Sequence, residues 1–151
     1  MDVPRTLLVT NDYPPSVGGI QRTLEALVRE LPPDRISVFC PSHDDGAEFD
    51  ARAPYRVLRQ AERFMWPTPD VGERLEAAVR ASRAEVVLFG ATYPLAMLGP
   101  RLANAGVPYL SAAHARRVVV RHEQGAGHVH GADILPERCH PSPRPPTSSP
   151  P

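Results

Sequence analysis

Apolar residues follow two patterns along this chain. Leu7 to Thr10, Ile36 to Cys40 and Glu85 to Phe89 ("EVVLF") are short apolar runs with little alternation, which is how strands covered on both faces read. Between them the spacing changes. Ile20, Leu24, Leu27, Val28 and Leu31 recur at helical intervals, so the pattern predicts an amphipathic helix over 19–31, stopped by Pro32-Pro33. Leu75, Ala78, Val79 and Ser82 share one face of a second helix, over 71–83, with Asp70 as its expected N-cap. Pro94 to Ala105 reads as a third helix that Gly106 ends. Tyr55 to Leu58 and Tyr109 to Ala113 add two strands, and His43 to Asp50 reads as a polar loop.

The resulting order is β-α-β-β-α-β-α-β. Buried strands alternating with helices imply right-handed crossovers and an open, doubly wound α/β sheet. Ligands of such sheets sit at the carboxyl ends of the strands. The stretch "NDYPPSVGGIQ", Asn11 to Gln21, lies there, between the first strand and the first helix. Gly18 and Gly19 let a backbone approach a ligand closely and offer N–H groups at a helix start, a site for phosphate or another anion. A tight strand-to-helix turn with no ligand uses the same residues. No G-x-x-x-x-G-K-[ST] or G-x-G-x-x-G pattern is present, and the second strand ends in Cys40-Pro41 without the acidic residue that would hold a ribose. A dinucleotide-dependent dehydrogenase is therefore not expected.

Composition narrows the classes further. All 17 basic residues are Arg, and 17 acidic residues balance them to a formal net charge of zero. A nucleic-acid partner recruited by bulk charge is not expected. Two cysteines, Cys40 and Cys139, suggest neither a disulfide framework nor a metal site. No signal peptide or membrane-spanning run is evident, so the expected location is the cytoplasm, as a soluble or peripheral protein.

"VTNDYPPSVGGIQRTLEALVREL", followed by "WPTPDVGERLEAAVRASRAEVVLFGATYPLAMLGPRLANAGVPYLSAAH", resembles the retaining GT-B glycosyltransferases of the family-4 type. The look is that of the actinobacterial phosphatidylinositol mannoside mannosyltransferases, over about residues 5–114. The resemblance implies an incomplete N-terminal half of a GT-B fold, with a Rossmann-like open parallel sheet. It implies hexose transfer, mannose above all, from a nucleotide sugar to a lipid-linked or glycosidic acceptor, without a catalytic metal or other cofactor. Peripheral contact with the inner face of the plasma membrane goes with such an acceptor. On the matching positions, Gly18 and Gly19 would lie against the donor phosphates and the acceptor, Gln21 would contact the acceptor head group, and His114 would stand near the donor sugar as the catalytic-site residue. Read alone, His114 also fits a surface histidine at a strand end. The family's second domain supplies an Arg/Lys clamp on the donor phosphates that a chain without Lys does not reproduce as such. A fragment inactive by itself is the expectation. A non-catalytic α/β module that binds a phosphorylated small molecule or a partner protein is the alternative.

After His114 the chain departs from the family's His-Gly-x-Glu, continuing Ala115-Arg116-Arg117. Residues 115–151 hold four of the six His and seven Pro but no Phe, Tyr or Trp. The expected division is a partial glycosyltransferase domain over 1–114 and a Pro/Arg/His-rich disordered tail over 115–151, as a frameshift, a truncation or plain divergence would leave. His128, His130, Cys139 and His140 lie in that tail without a scaffold, so no metal site is expected. Asp12, Asp44 and Asp45 read as solvated turn residues. Arg74, Arg80 and Arg83 read as a solvated helix face before a lipid-binding one, and Trp66 as a plug between elements.

Overall fold

The computed structural model describes residues 3–112 in full and the backbone of Ala113 and 117–121. The elements are β1 (Thr6–Val9), α1 (Gly19–Arg29), β2 (Ile36–Cys40), α2 (Gly46–Arg52), β3 (Arg56–Arg59), α3 (Pro69–Ser82), β4 (Val86–Phe89), a 3-10 turn (Leu95–Leu98), α4 (Gly99–Asn104), β5 (Tyr109–Ala113) and β6 (Arg117–Arg121). They build one sheet in the order β3-β2-β1-β4-β5-β6. The first five strands are parallel, and β6 runs antiparallel to β5. This is the Rossmann-like open α/β sheet that the apolar runs predict.

Each central strand feeds two cores because successive side chains point to opposite faces. On one face Leu7, Val9, Phe39, Val87 and Phe89 pack with Val71, Leu75 and Val79 of α3 and Leu102 of α4. On the other, Leu8, Val38 and Cys40 pack with Leu24 and Val28 of α1 and with Tyr13 and Tyr55. Burial on both sides is what removes the polar alternation from these strands.

The structure differs from the sequence reading in four places. The segment read as a polar loop, His43 to Asp50, contains most of α2. A parallel β2–β3 pair requires the chain to return the full length of the strand, and such a crossover is usually helical. Only Phe49 and Ala53 of that region pack on the core, so its helical period is faint; Phe49 meets Tyr13 edge-on at 6.1 Å. Second, Thr68, not Asp70, caps α3: its hydroxyl accepts from the Val71 N–H, and Pro69 takes the first helical position. Third, the expected helix over 94–105 divides into the 3-10 turn and α4, with Pro100 in the first turn of α4; Gly106, at φ +73°, ends it as expected. Fourth, residues 117–121, inside the segment read as tail, form β6, where Val118 to Val120 pair with β5. His114 and the rest of the tail lie outside the described residues.

The face of α3 read as solvated is not free at Arg74. This guanidinium donates to Asp70 (2.8 Å), to both carboxylate oxygens of Glu62 and to Gln60 (2.9 Å), and so ties the helix to the β3–α3 connection. Trp66, read as a plug, is 55% exposed and leans on Phe64, while its neighbour Met65 is fully buried.

Two outcomes are expected. Phe89 is fully buried in the central strand β4, so Phe89→Ala should lower the free energy of unfolding by about 3–5 kcal/mol. A urea midpoint equal to the parent's would show that this core is not built as described. The hydrogen bonds from Arg74 hold the Glu62 carboxyl below the usual carboxylate range. A depressed folded value means that the pair stabilises the fold above the unfolded carboxylate value and ceases to do so as pH falls through the folded one. Glu62→Gln should therefore be less stable than the parent at neutral pH and indistinguishable from it in strong acid. A difference that persists unchanged in acid would assign the effect to packing.

Candidate ligand cleft at the carboxyl edge

The chain leaves β1 through α1 on one face of the sheet and leaves β4 through the 3-10 turn and α4 on the other. The carboxyl ends of these adjacent strands therefore open a crevice at the topological switch point. Gly90, just past β4, donates its N–H to Val9 O (2.9 Å). A Cβ at Gly90 would lie 2.8 Å from Leu24 Cδ1 and 3.0 Å from Thr10 Cβ, so glycine allows the close approach of α1 over this end of the sheet. Thr10 is buried there, and its hydroxyl receives the Asp12 N–H (3.0 Å), turning the chain away from the sheet.

Two clefts flank the loop that follows. The first, about 190 Å³, is lined by Val9 to Asp12, by Ala91 and Tyr93 to Leu95 after β4, and by Phe64. The second, about 270 Å³, is lined by Asn11, Tyr13 and Ser16 with Pro41, Ser42, His43, Arg59 and Arg63. Asn11 belongs to both. Its side-chain amide donates to Met65 O (3.0 Å) and accepts from Met65 N–H (2.8 Å), replacing a pair of ladder bonds and fixing the wall between the clefts.

The start of the loop is held by Tyr13, whose hydroxyl donates to that of Tyr55 (2.8 Å). Burial, with the Tyr55 hydroxyl beside it, raises the Tyr13 hydroxyl far above the ordinary phenol range, so it acts as a neutral post and not as an acid. Burial also pushes the Cys40 thiol up to about 12, with the nearby Arg59 opposing, which makes it an inert core thiol. Arg59 and Arg63, the two cations lining the second cleft, are each paired, with Asp50 and Asp44 respectively.

Gly18 and Gly19 end the loop. Gly18 is extended and serves as the N-cap of α1 without a side-chain bond, and the first turn of α1 carries no acidic residue. A Cβ at Gly18 would lie 2.3 Å from Gln21 Oε1, so the Gln21 side chain folds back over that glycine. Gln21 Nε2 in turn faces Asp12 Oδ1 at 3.4 Å. At Gly19 nothing lies within 4 Å of a Cβ position. The structure thus brings Gly18, Gly19 and Gln21 together at the start of α1. β5, parallel to β4, ends with Ala113 at the same edge. His114 lies outside the described residues.

Among the described residues, no group of three or more His, Cys, Asp and Glu side chains gathers as a metal site would require. No helix among them is long and apolar enough to cross a membrane. The sequence reading passed over Asn11 and Arg59. Asn11 sat inside the stretch singled out for its glycines. Arg59 came just after the strand read over Tyr55 to Leu58, and its partner Asp50 lay in what read as a loop.

No family model matches the chain. It is 41% identical over 134 residues, 86% of its length, to a GDP-mannose-dependent alpha-(1-6)-phosphatidylinositol monomannoside mannosyltransferase of Mycolicibacterium smegmatis. The enzyme of the same description from Mycobacterium tuberculosis is 40% identical over 76% of the chain. A GDP-mannose-dependent monoacylated alpha-(1-6)-phosphatidylinositol monomannoside mannosyltransferase of Corynebacterium glutamicum is 34% identical over 68%. The chain covers 32%, 31% and 27% of these relatives' own lengths. A Rossmann-like sheet open at its switch point and this similarity agree: the chain is a homologue of the actinobacterial phosphatidylinositol mannoside mannosyltransferases, spanning about a third of their length.

Proposed function

We propose that this chain forms the acceptor-side, N-terminal Rossmann-like part of a GT-B mannosyltransferase. The whole enzyme would move mannose from a nucleotide sugar to a lipid-linked acceptor. The observation that carries this reading is the uncapped, glycine-built start of α1, open at Gly19 and set at the switch point of a chain whose relatives use GDP-mannose. Departure of the nucleotide leaves negative charge on phosphate. Preorganised donors at that point usually make the largest single contribution to catalysis. The N–H groups at Gly18 and Gly19 would supply part of it, Gln21 would meet the acceptor head group, and His114 would stand by the donor sugar. Neither a metal nor a cofactor enters this scheme. A lipid-linked acceptor would bring the protein to the cytoplasmic face of a membrane as a peripheral protein, with no role for nucleic acid.

Gly19 offers a clean test. A Cβ there meets open space in the free protein, so a side chain at this position should obstruct what approaches the loop. The 151-residue chain should bind GDP-mannose saturably in a calorimetric titration, and Gly19→Trp should abolish the binding while leaving the far-ultraviolet circular dichroism unchanged. A folded Gly19→Trp that binds like the parent would overturn the assignment.

Transfer itself is a separate matter. Losing a single oxyanion donor typically costs on the order of 10²–10³ in rate, and a polypeptide whose match covers 32% of the Mycolicibacterium smegmatis relative would hold by itself only part of such a cleft. The 151-residue polypeptide, incubated with labelled GDP-mannose and a phosphatidylinositol mannoside, should release no mannosylated lipid above background. Turnover in the parent that disappears in Gly19→Trp would mean that the cleft is sufficient as it stands.

A further inference from the structure

Arg59 lies at the end of β3, two strands away from β1, yet it reaches the glycine loop. Its Nε and Nη2 grip Asp50 Oδ2 and Oδ1 at 2.8 and 2.9 Å. Nη1 donates to Pro41 O (3.2 Å), and Nη2 also donates to Pro14 O (2.7 Å). One guanidinium thus joins the loops after β1 and β2 to α2 and β3. Four of its five N–H groups are engaged, its charge is balanced by Asp50, and the side chain is only 14% exposed. Gly46 makes room for it: a Cβ there would lie 2.8 Å from Arg59 Nε.

The loop needs an anchor of this kind. Pro14 and Pro15 have no N–H to donate, so this stretch is held through its carbonyls. Among the described residues, the hydrogen bonds of 13–17 are those of the Tyr13 hydroxyl and the Pro14 carbonyl. Tyr13 fixes where the loop begins. Pro14 O is the last point held before Gly18, whose own carbonyl accepts the first bond of α1, from Arg22 N–H (3.2 Å).

We infer that Arg59 is a positioning residue: pinned by Asp50, it places the N–H groups of Gly18 and Gly19 through the Pro14 carbonyl, and so sets the affinity of the glycine loop for the phosphates of a nucleotide sugar. It acts through the loop, with four of its five N–H groups spent on the protein. The inference rests on the reading of the glycine loop as the phosphate contact. Lys at this position would keep the charge and reach one carbonyl, but an ammonium has no planar fork with which to hold Asp50 and two carbonyls at once.

The test uses the ¹⁵N-labelled 151-residue chain as parent, Arg59→Met, Arg59→Lys and Asp50→Ala. The readouts are the amide shifts of Gly18 and Gly19 in the free proteins and their response to GDP-mannose. Arg59→Met should keep the core amide pattern of Leu8, Val38 and Val87, displace the two glycine resonances, and raise the half-saturating GDP-mannose concentration by about tenfold, because small misplacements of binding groups are costly. Asp50→Ala should act in the same direction, and Arg59→Lys should recover part of the loss. A folded Arg59→Met with parental glycine shifts and parental half-saturation would overturn the inference. If Arg59→Met does not fold, Asp50→Ala decides by the same readouts, and unchanged glycine shifts there would overturn it equally. A parent that shows no GDP-mannose response at Gly18 and Gly19 would refute the phosphate reading instead; the glycine shifts of the free variants would still decide whether Arg59 places the loop.

Discussion

The structure depends on β1 being hydrogen-bonded along both edges and buried on both faces. Its four residues pair with β2 on one side and β4 on the other, and Leu7, Leu8 and Val9 are almost without exposure. A parallel neighbour can be reached only by a crossover. The crossovers from β1 through β2 to β3 therefore travel one way across the sheet, and those from β3 through β4 to β5 travel the other. The crevice where the two directions part follows from that topology. It exists before any side chain is placed in it, and just past β4 Gly90 leaves the space that the side chains of Leu24 and Thr10 fill.

This explains which parts of the fold were legible in the sequence. Strands covered on both faces need apolar residues at every position, and the runs at Leu7, Ile36 and Val86 were found from that alone. α1 was found because one of its faces meets the sheet and the other meets water. α2 was hidden because a short helix on an outer strand buries little: Phe49 does most of its packing, and one aromatic residue makes no period. The cap of α3 was misplaced for a different reason. Thr68 and Asp70 are both good caps, and Pro69 between them marks the first helical position only once Thr68 is seen to accept from Val71 N–H.

Of the candidate cleft, residues of an unusual type stood out in the sequence, and common residues in an unusual place did not. Adjacent glycines after a strand stand out in any sequence, and the family resemblance that begins with them agrees with the relatives found. Asn11 and Arg59 are ordinary residues whose importance lies in partners 54 and 45 positions away, at Met65 and Pro14. No local pattern encodes those distances. The clue, visible afterwards, is the proline pair: where two successive residues have no N–H to donate, the chain there has to be held through a carbonyl.

The absence of Lys takes on meaning at this edge. A guanidinium can satisfy several acceptors in one plane, and the chain uses it that way. Arg59 spans two loops and a helix, Arg74 spans α3 and the segment before it, and Arg101 links α4 to Glu76 of α3. The exposed pair of Arg29 with Glu25 within α1 is of a different kind and contributes little. Cations used as ties are paired, and both arginines lining the second cleft already face an aspartate. An anion arriving there gains less from side-chain charge than the 17 arginines of the chain would suggest. What the edge still offers is backbone: the uncapped N–H groups at the start of α1, with no acidic residue in its first turn to occupy them. Recognition of an anion by main-chain dipoles would carry little long-range attraction and depend steeply on geometry, so under the proposed function placing the loop would matter more than adding positive charge to it.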